Sequence, residues 1–393
     1  MFTFVNNSFN MSISNWYQQH APRTISGRYI YLEHLQDILN RLARVATVSS
    51  AGCSEKGVSI PMITLGSGPR KILAWSQMHG NESTTTKALV DVLILLTTDS
   101  PFNDQVSHFL NSHTLIAIPI LNPDGALRYT RENANGVDLN RDAQELSQSE
   151  SRALRSVFDN TKPHLCLNLH DQRSIYGLDH GKAAAISFLS PAATANRAVT
   201  PSRKEAMAYI AKMYRALATK AAGFIGRYDD SYNPNCVGDT FQGAGVPTIL
   251  FEAGHRGDDY QRERSRALVF HALLSLFGIG DEQMTSATYE EYFEIPENRK
   301  NFRDILLRNV TLGRDDNPLD IAIQYQQILK DGQIVFQPVV DDFGTLGNLH
   351  GHREIAGNGA QVLVNSQEKV HRGEIISEIT DKQGVSIVNF KEI

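Results

Sequence analysis

His79-Gly80-Asn81-Glu82 sets an imidazole and a carboxylate three residues apart, directly after the apolar run Ile72-Leu73-Ala74-Trp75. A strand that ends in a turn can aim both side chains at one point above the sheet edge. An imidazole and a carboxylate are two of the three protein ligands of a catalytic zinc, whose fourth position is left to water. His170, at the end of the apolar run Leu165 to Leu169, offers the third. A lone histidine is more often a satisfied polar group than a ligand, so this reading depends on the set.

Further chemistry-bearing residues follow in order. Asn122-Pro123-Asp124-Gly125 comes after an apolar run and reads as a turn by its Pro and Gly. Asp138-Leu139-Asn140-Arg141-Asp142 places an amide beside a planar guanidinium, a pair suited to gripping a carboxylate through both oxygens. Arg131 lies earlier in the same loop; its plainer reading is a solvated surface arginine. Glu252 ends the run Thr248-Ile249-Leu250-Phe251, where a single glutamate by itself is simply the first exposed residue.

Positioning these groups needs strand ends. Strands are expected at 58–65, 71–77, 113–120, 164–169 and 247–251, and helices at 28–45, from about Ser83, at 149–158, 204–222 and 261–276. Thr84 to Thr86 are candidate caps for the second helix, and Gly278 is the expected stop of the last. Strands alternating with helices imply an α/β fold, a mostly parallel mixed sheet with helices on both faces. Such sheets bind ligands beyond the carboxyl ends of their strands, which is where the tetrad, His170 and Glu252 fall.

Near Gly278-Ile279-Gly280-Asp281 the texture changes. One helical stretch is expected at 301–308, then short alternating segments at 321–325, 333–339, 360–364, 374–379 and 385–388. The expected organisation is a catalytic unit over 1–282 and a small β-rich C-terminal domain over 283–393.

The order of motifs resembles the zinc carboxypeptidase family over about residues 70 to 255: H-G-N-E, N-P-D-G, D-L-N-R, a strand-terminal His and a strand-terminal Glu. The resemblance implies one zinc ion held by His79, Glu82 and His170, and Glu252 as the base that takes a proton from water. It implies Arg131 as the arginine polarising the scissile carbonyl, with Arg128 as competitor, and Asn140 and Arg141 as the grip on a terminal carboxylate. The chain departs from the digestive members after the third ligand, with Asp171-Gln172 where they have Ser-Tyr. Asp171 either orients a ligand or narrows the pocket. Of two candidates for the family's mobile tyrosine, Tyr228 and Tyr232, Tyr232 is preferred. Asp239 is expected in the side-chain pocket, favouring a basic or polar substrate residue. The C-terminal region and the segment Val370 to Ile376 also resemble the aspartoacylase and succinylglutamate desuccinylase branch. The expected substrate is therefore a peptide with a free carboxylate, the alternative an N-acyl amino acid.

The bulk numbers narrow the class. With 393 residues, 41% apolar and 21% charged, the chain can bury a sizeable core. A net charge of −5 leaves no footprint for nucleic acid or an anionic membrane. No basic start followed by an apolar core marks a leader in the first twenty residues, and no stretch has the length of a membrane span. Three scattered cysteines, Cys53, Cys166 and Cys236, make no disulfide framework, so a reducing cytoplasm is the expected compartment.

Overall fold

The computed structural model describes residues 12–280, 286–313 and 315–390. Its larger sheet has eight strands: β1 (Thr47–Cys53), β2 (Ser59–Leu65), β3 (Arg70–Ser76), β4 (His113–Ile118), β5 (Leu165–Asp171), β6 (Ile186–Leu189), β7 (Ile225–Arg227) and β8 (Thr248–Ala253). They run in the order β1-β2-β4-β3-β5-β8-β6-β7. The middle four, β4-β3-β5-β8, are mutually parallel, and antiparallel neighbours flank them on both sides.

Alternate strand residues feed two apolar layers. Ile72, Ala74, Leu167 and Phe251 face the helices Thr84–Thr97, Pro201–Leu217 and Glu263–Phe277. Leu73, Trp75 and Cys166 face the helices Ser149–Thr161 and Val237–Gly243, where Phe158 and Phe241 stack at 3.9 Å. Covering both faces explains why β5 is buried at every position and reads as a continuous apolar run. Cys166 is one of those buried residues, a thiol in the core rather than a reactive one.

Polar links cross the first layer too. Asp91 on the helix Thr84–Thr97 takes both Arg266 nitrogens at 2.7 and 2.6 Å, and Lys87 reaches Glu263. Buried charges persist here because each has a partner.

The smaller sheet is β9 (Phe302–Leu312), β10 (Asp315–Lys330), β11 (Gln333–Gly344), β12 (His350–Ala356), β13 (Gln361–Val364) and β14 (Ile379–Asp381), in the order β11-β10-β9-β13-β14, with β12 parallel on β9. The helix expected at 301–308 is a strand instead. Ile305, Leu306 and Leu307 are all buried, the middle one on the opposite face from its neighbours, in a central strand with partners on both sides. A short apolar run of this kind fits either period, and the sheet decides it. The segments expected at 374–379 and 385–388 contribute only β14's first residue and isolated bridges at Ile375 and Ser386. The expected boundary at 282/283 lies outside the described residues. Among the described residues no helix is long and apolar enough to cross a membrane.

Candidate metal centre

β3, β5 and β8 are neighbours, and their carboxyl ends open into one cleft of about 520 Å³. His79 and Glu82 follow β3; His170 and Glu252 lie opposite each other in the register of β5 and β8. Chain exit from β3 is shaped by Gln77, which adopts a left-handed φ of 50° while fully buried. Its side chain holds the turn, donating to the carbonyls of Ile30 (2.7 Å) and Gly80 (2.8 Å). Strained backbone held by surrounding contacts is common at functional sites. Gly80 is required by crowding: a Cβ there would sit 2.0 Å from the carbonyl carbon of Gly125. The H-G-N-E turn and N-P-D-G thus touch backbone to backbone. N-P-D-G is the first turn of a helix, Pro123–Arg128, rather than a free turn; Asn122 caps it by accepting from Gly125 N at 2.8 Å.

The donor atoms of His79, Glu82 and His170 all lie within 4.8 Å of one another. Glu82 Oε1 is 2.8 Å from His79 Nδ1, Glu82 Oε2 is 2.8 Å from His170 Nδ1, and the two Nδ1 atoms are 3.2 Å apart. Two imidazole nitrogens and a carboxylate oxygen converging in a buried corner fit zinc. The far nitrogen of His79 lies 2.9 Å from Asp138 Oδ1, the contact that fixes the tautomer of a ligating imidazole. Asp138 begins D-L-N-R and was not singled out from sequence, although an acid in that loop is the natural partner for a ligand's second nitrogen. Arg131 grips the other Asp138 oxygen with Nε and Nη2 (3.1 and 2.9 Å) and sits 3.3 Å from Glu82 Oε1. Arg128 instead donates to the Asn133 carbonyl and does not line the cleft.

The remaining expected residues line the same cleft: Asn140, Arg141, Tyr232 and Asp239. Asn140 Oδ1 accepts from Val237 N at 2.9 Å, which leaves its amide NH2 for a ligand. Arg141 donates one nitrogen to the Asn140 carbonyl at 2.7 Å and to Cys236 Sγ at 3.2 Å. Tyr228 lines it as well, its hydroxyl bonded to Tyr176 at 2.6 Å. Asp171 does not use its side chain in the cleft. That carboxylate pairs with buried Arg28 at 3.0 Å and accepts from the helix-start amides of Thr84 (3.0 Å) and Thr85 (3.2 Å), the capping role expected of the threonines. Only its backbone N–H reaches Glu82, at 3.2 Å. Arg28 lies in the irregular stretch between the helices Ile13–His20 and Leu32–Leu42 and carries no local sequence signal.

Two glutamates in this corner are driven apart. Burial alone would raise Glu82, but the charges and hydrogen bonds of His79 and His170 outweigh it and hold the carboxyl well below its usual range. Glu252 is buried with the negative charges of Glu82 and Asp171 nearby, and these push its carboxyl well above the usual range against Arg131 and Arg262. Its Oε2 has no hydrogen-bond partner among the described residues. One carboxylate is thus committed to holding charge, the other poised to take a proton. Burial lowers His170, whereas the acids around His79 overcome burial and raise it.

Comparison with known proteins agrees with this geometry. The family model described as zinc carboxypeptidase matches residues 31–279. Carboxypeptidase 2 of Trichophyton rubrum is 26% identical over 153 residues, covering 35% of this chain and 28% of its own length. Carboxypeptidase M of Mus musculus is 26% identical over 196 residues, covering 42% and 44%. The chain therefore spans less than half the length of these curated relatives. Among solved structures, the fold resembles a metallo-carboxypeptidase from Burkholderia cenocepacia (TM-score 0.50, 18% identity, 62% of this chain and 67% of that one). It also resembles bovine thrombin-activatable fibrinolysis inhibitor (TM-score 0.52, 12% identity, 64% and 96%). With the family match spanning most of the chain and the expected residues gathered at the ends of β3, β5 and β8, the chain belongs to the zinc carboxypeptidase family.

Proposed function

We propose that this protein is a metallocarboxypeptidase, hydrolysing the amide bond next to a free terminal carboxylate. The observation that carries the reading is the convergence of His79, Glu82 and His170 beside a protonatable Glu252 in a cleft that also holds Arg131, Asn140 and Arg141. His79, Glu82 and His170 would hold zinc, which supplies Lewis acidity to a water and to the scissile carbonyl. Glu252 takes the proton from the attacking water and returns it to the leaving amine, a task for which a raised carboxyl pKa suits it. Arg131, anchored by Asp138, presents positive charge toward the oxyanion that develops on the carbonyl. Arg141 and the Asn140 amide bind the terminal carboxylate. Tyr232 and Asp239 face the same cleft as substrate contacts, Asp239 toward a basic side chain.

The test is a panel of peptides, their C-terminally amidated counterparts, and N-acetyl- and N-succinyl-amino acids, run with chelated controls. Free-acid peptides are expected to be cleaved and amidated ones spared. Glu252→Gln is expected to retain metal and lose turnover by about 1000-fold. Turnover confined to N-acyl amino acids would move the reading to the deacylase.

A further inference from the structure

We propose that His255, Asp304 and His352 form a second zinc site, remote in role from hydrolysis, that fastens the loop after β8 to the C-terminal sheet. One donor atom from each residue lies within 4.8 Å of the others. The three come from separate parts of the chain: His255 three residues beyond Glu252, Asp304 on β9 and His352 on β12.

Both imidazoles are set as ligands. His255 Nε2 donates to the Gly257 carbonyl at 2.8 Å, and His352 Nε2 donates to the Ser174 carbonyl at 2.8 Å. A carbonyl only accepts, so in each ring the proton is on Nε2 and the lone pair on Nδ1. Donating the far N–H to a backbone carbonyl is how metal-binding histidines are usually oriented. The rings cross edge to face with centroids 4.4 Å apart. Burial keeps both neutral, His352 down at about 4 and His255 well below the usual range. Neutral imidazole is the form that binds metal.

Asp304 supplies the charge. It is 1% exposed, and one oxygen, Oδ2, accepts from Tyr325 N at 2.7 Å and from the Gln324 amide. The other, Oδ1, is buried with no hydrogen bond of ordinary geometry among the described residues; burial pushes the carboxyl up to about 6, while the nearby Ser174 and Tyr260 hydroxyls favour its charged form. An unpartnered buried carboxylate oxygen is costly unless something positive meets it. The adjoining cavity, lined by His255, Asp304 and Tyr260 but not by His352, is about 10 Å³, room for one small ion or water and too small for a substrate. Arg262 lines it too and opposes a cation. Its guanidinium is directed to the Ala253 carbonyl at 2.7 Å and lies 4.0 Å from Asp171 Oδ2, which takes up part of that charge. Two imidazoles and a carboxylate, with Tyr260 or water as the fourth group, suit zinc over magnesium or calcium.

The test reads metal content and does not depend on the hydrolytic reading. Zinc-loaded, desalted protein is expected to carry about two ions per chain, and the His79→Ala/His170→Ala variant about one. Zinc is expected to raise the melting midpoint of that variant by several degrees. Adding His352→Gln or Asp304→Asn should remove both the ion and the shift. A double variant that binds no zinc, or an ion that survives both junction substitutions, overturns the proposal. If a junction substitution prevents folding, cobalt loaded into the His79→Ala/His170→Ala protein serves instead. X-ray absorption should then show two imidazoles and no sulfur, and a sulfur ligand or no bound cobalt overturns the site.

Discussion

Asp239 lies in the cleft, buried, at the start of the helix Val237–Gly243, and accepts from Asn233 N at 3.3 Å. Burial pushes its carboxyl up to about 6. The sign of the consequence follows directly. Below about 6 the group is neutral and offers a basic substrate side chain little; above it the charge is present and attracts one. Relative kcat/KM for peptides ending in Lys or Arg, against those ending in Phe or Leu, should therefore climb as pH rises through about 6. Asp239→Asn should flatten that climb and lower kcat/KM for basic substrates by about 10-fold, the worth of one hydrogen bond to a charged group. Identical pH profiles for basic and aromatic substrates would remove Asp239 from the side-chain pocket. A neighbouring pair makes the same point in another form. Glu82 and Glu252 are both buried glutamates at strand ends, yet the histidines hold one down while the surrounding acids drive the other up.

At the scale of elements, the turn after β3 is built by two glycines meeting. Gly80→Ala would push its Cβ into the Gly125 backbone at 2.0 Å, and neither main chain can yield without moving His79 or the cap at Asn122. The expected result is a folded protein whose zinc affinity falls by about 10-fold or more, measured by chelator competition. Unchanged affinity would mean that the ligands do not depend on this contact. The same turn shows what could be read in advance. The strand ends that carry H-G-N-E, His170 and Glu252 were legible because β3, β5 and β8 are buried on both faces, so each apolar run stops at the cleft. Asn122-Pro123-Asp124-Gly125 was legible as a reversal but not as a helix start, since Pro and Asn serve both. β1, β6 and β7 were missed: β1 and β7 are edge strands with little apolar pattern, and β6, though buried throughout, has only four residues. β9 was misread because Ile305-Leu306-Leu307 shows no alternation when both faces are covered. Asp138 and Arg28 act through partners far away in sequence, and local spacing does not reveal such pairings.

For the whole molecule, the C-terminal sheet is joined to the side of the candidate metal centre by side-chain and backbone hydrogen bonds and by Tyr260 packed on Tyr325 and Phe336. Gln324 on β10 reaches Ser174 Oγ at 2.6 Å, and His352 on β12 reaches the Ser174 carbonyl at 2.8 Å. Gln327, also on β10, accepts from Arg28 at 3.4 Å and from the Tyr129 hydroxyl. Arg28 in turn holds Asp171, whose backbone N–H braces Glu82, and Tyr129 begins the loop that carries Arg131. The second sheet is thus within a few bonds of Glu82 and the other candidate metal ligands. Gln327→Leu leaves buried Arg28 and the Tyr129 hydroxyl without this acceptor, and should lower stability by about 1 kcal/mol. If the connection is structural in this way, the loss should appear as a shifted denaturant midpoint in one cooperative transition with an unchanged slope. Metal release should follow the same curve as the loss of secondary structure. A variant that instead unfolds in two steps, releasing metal only in the second, would show that the C-terminal sheet melts independently and that the path through Gln327 and Arg28 does not support the site.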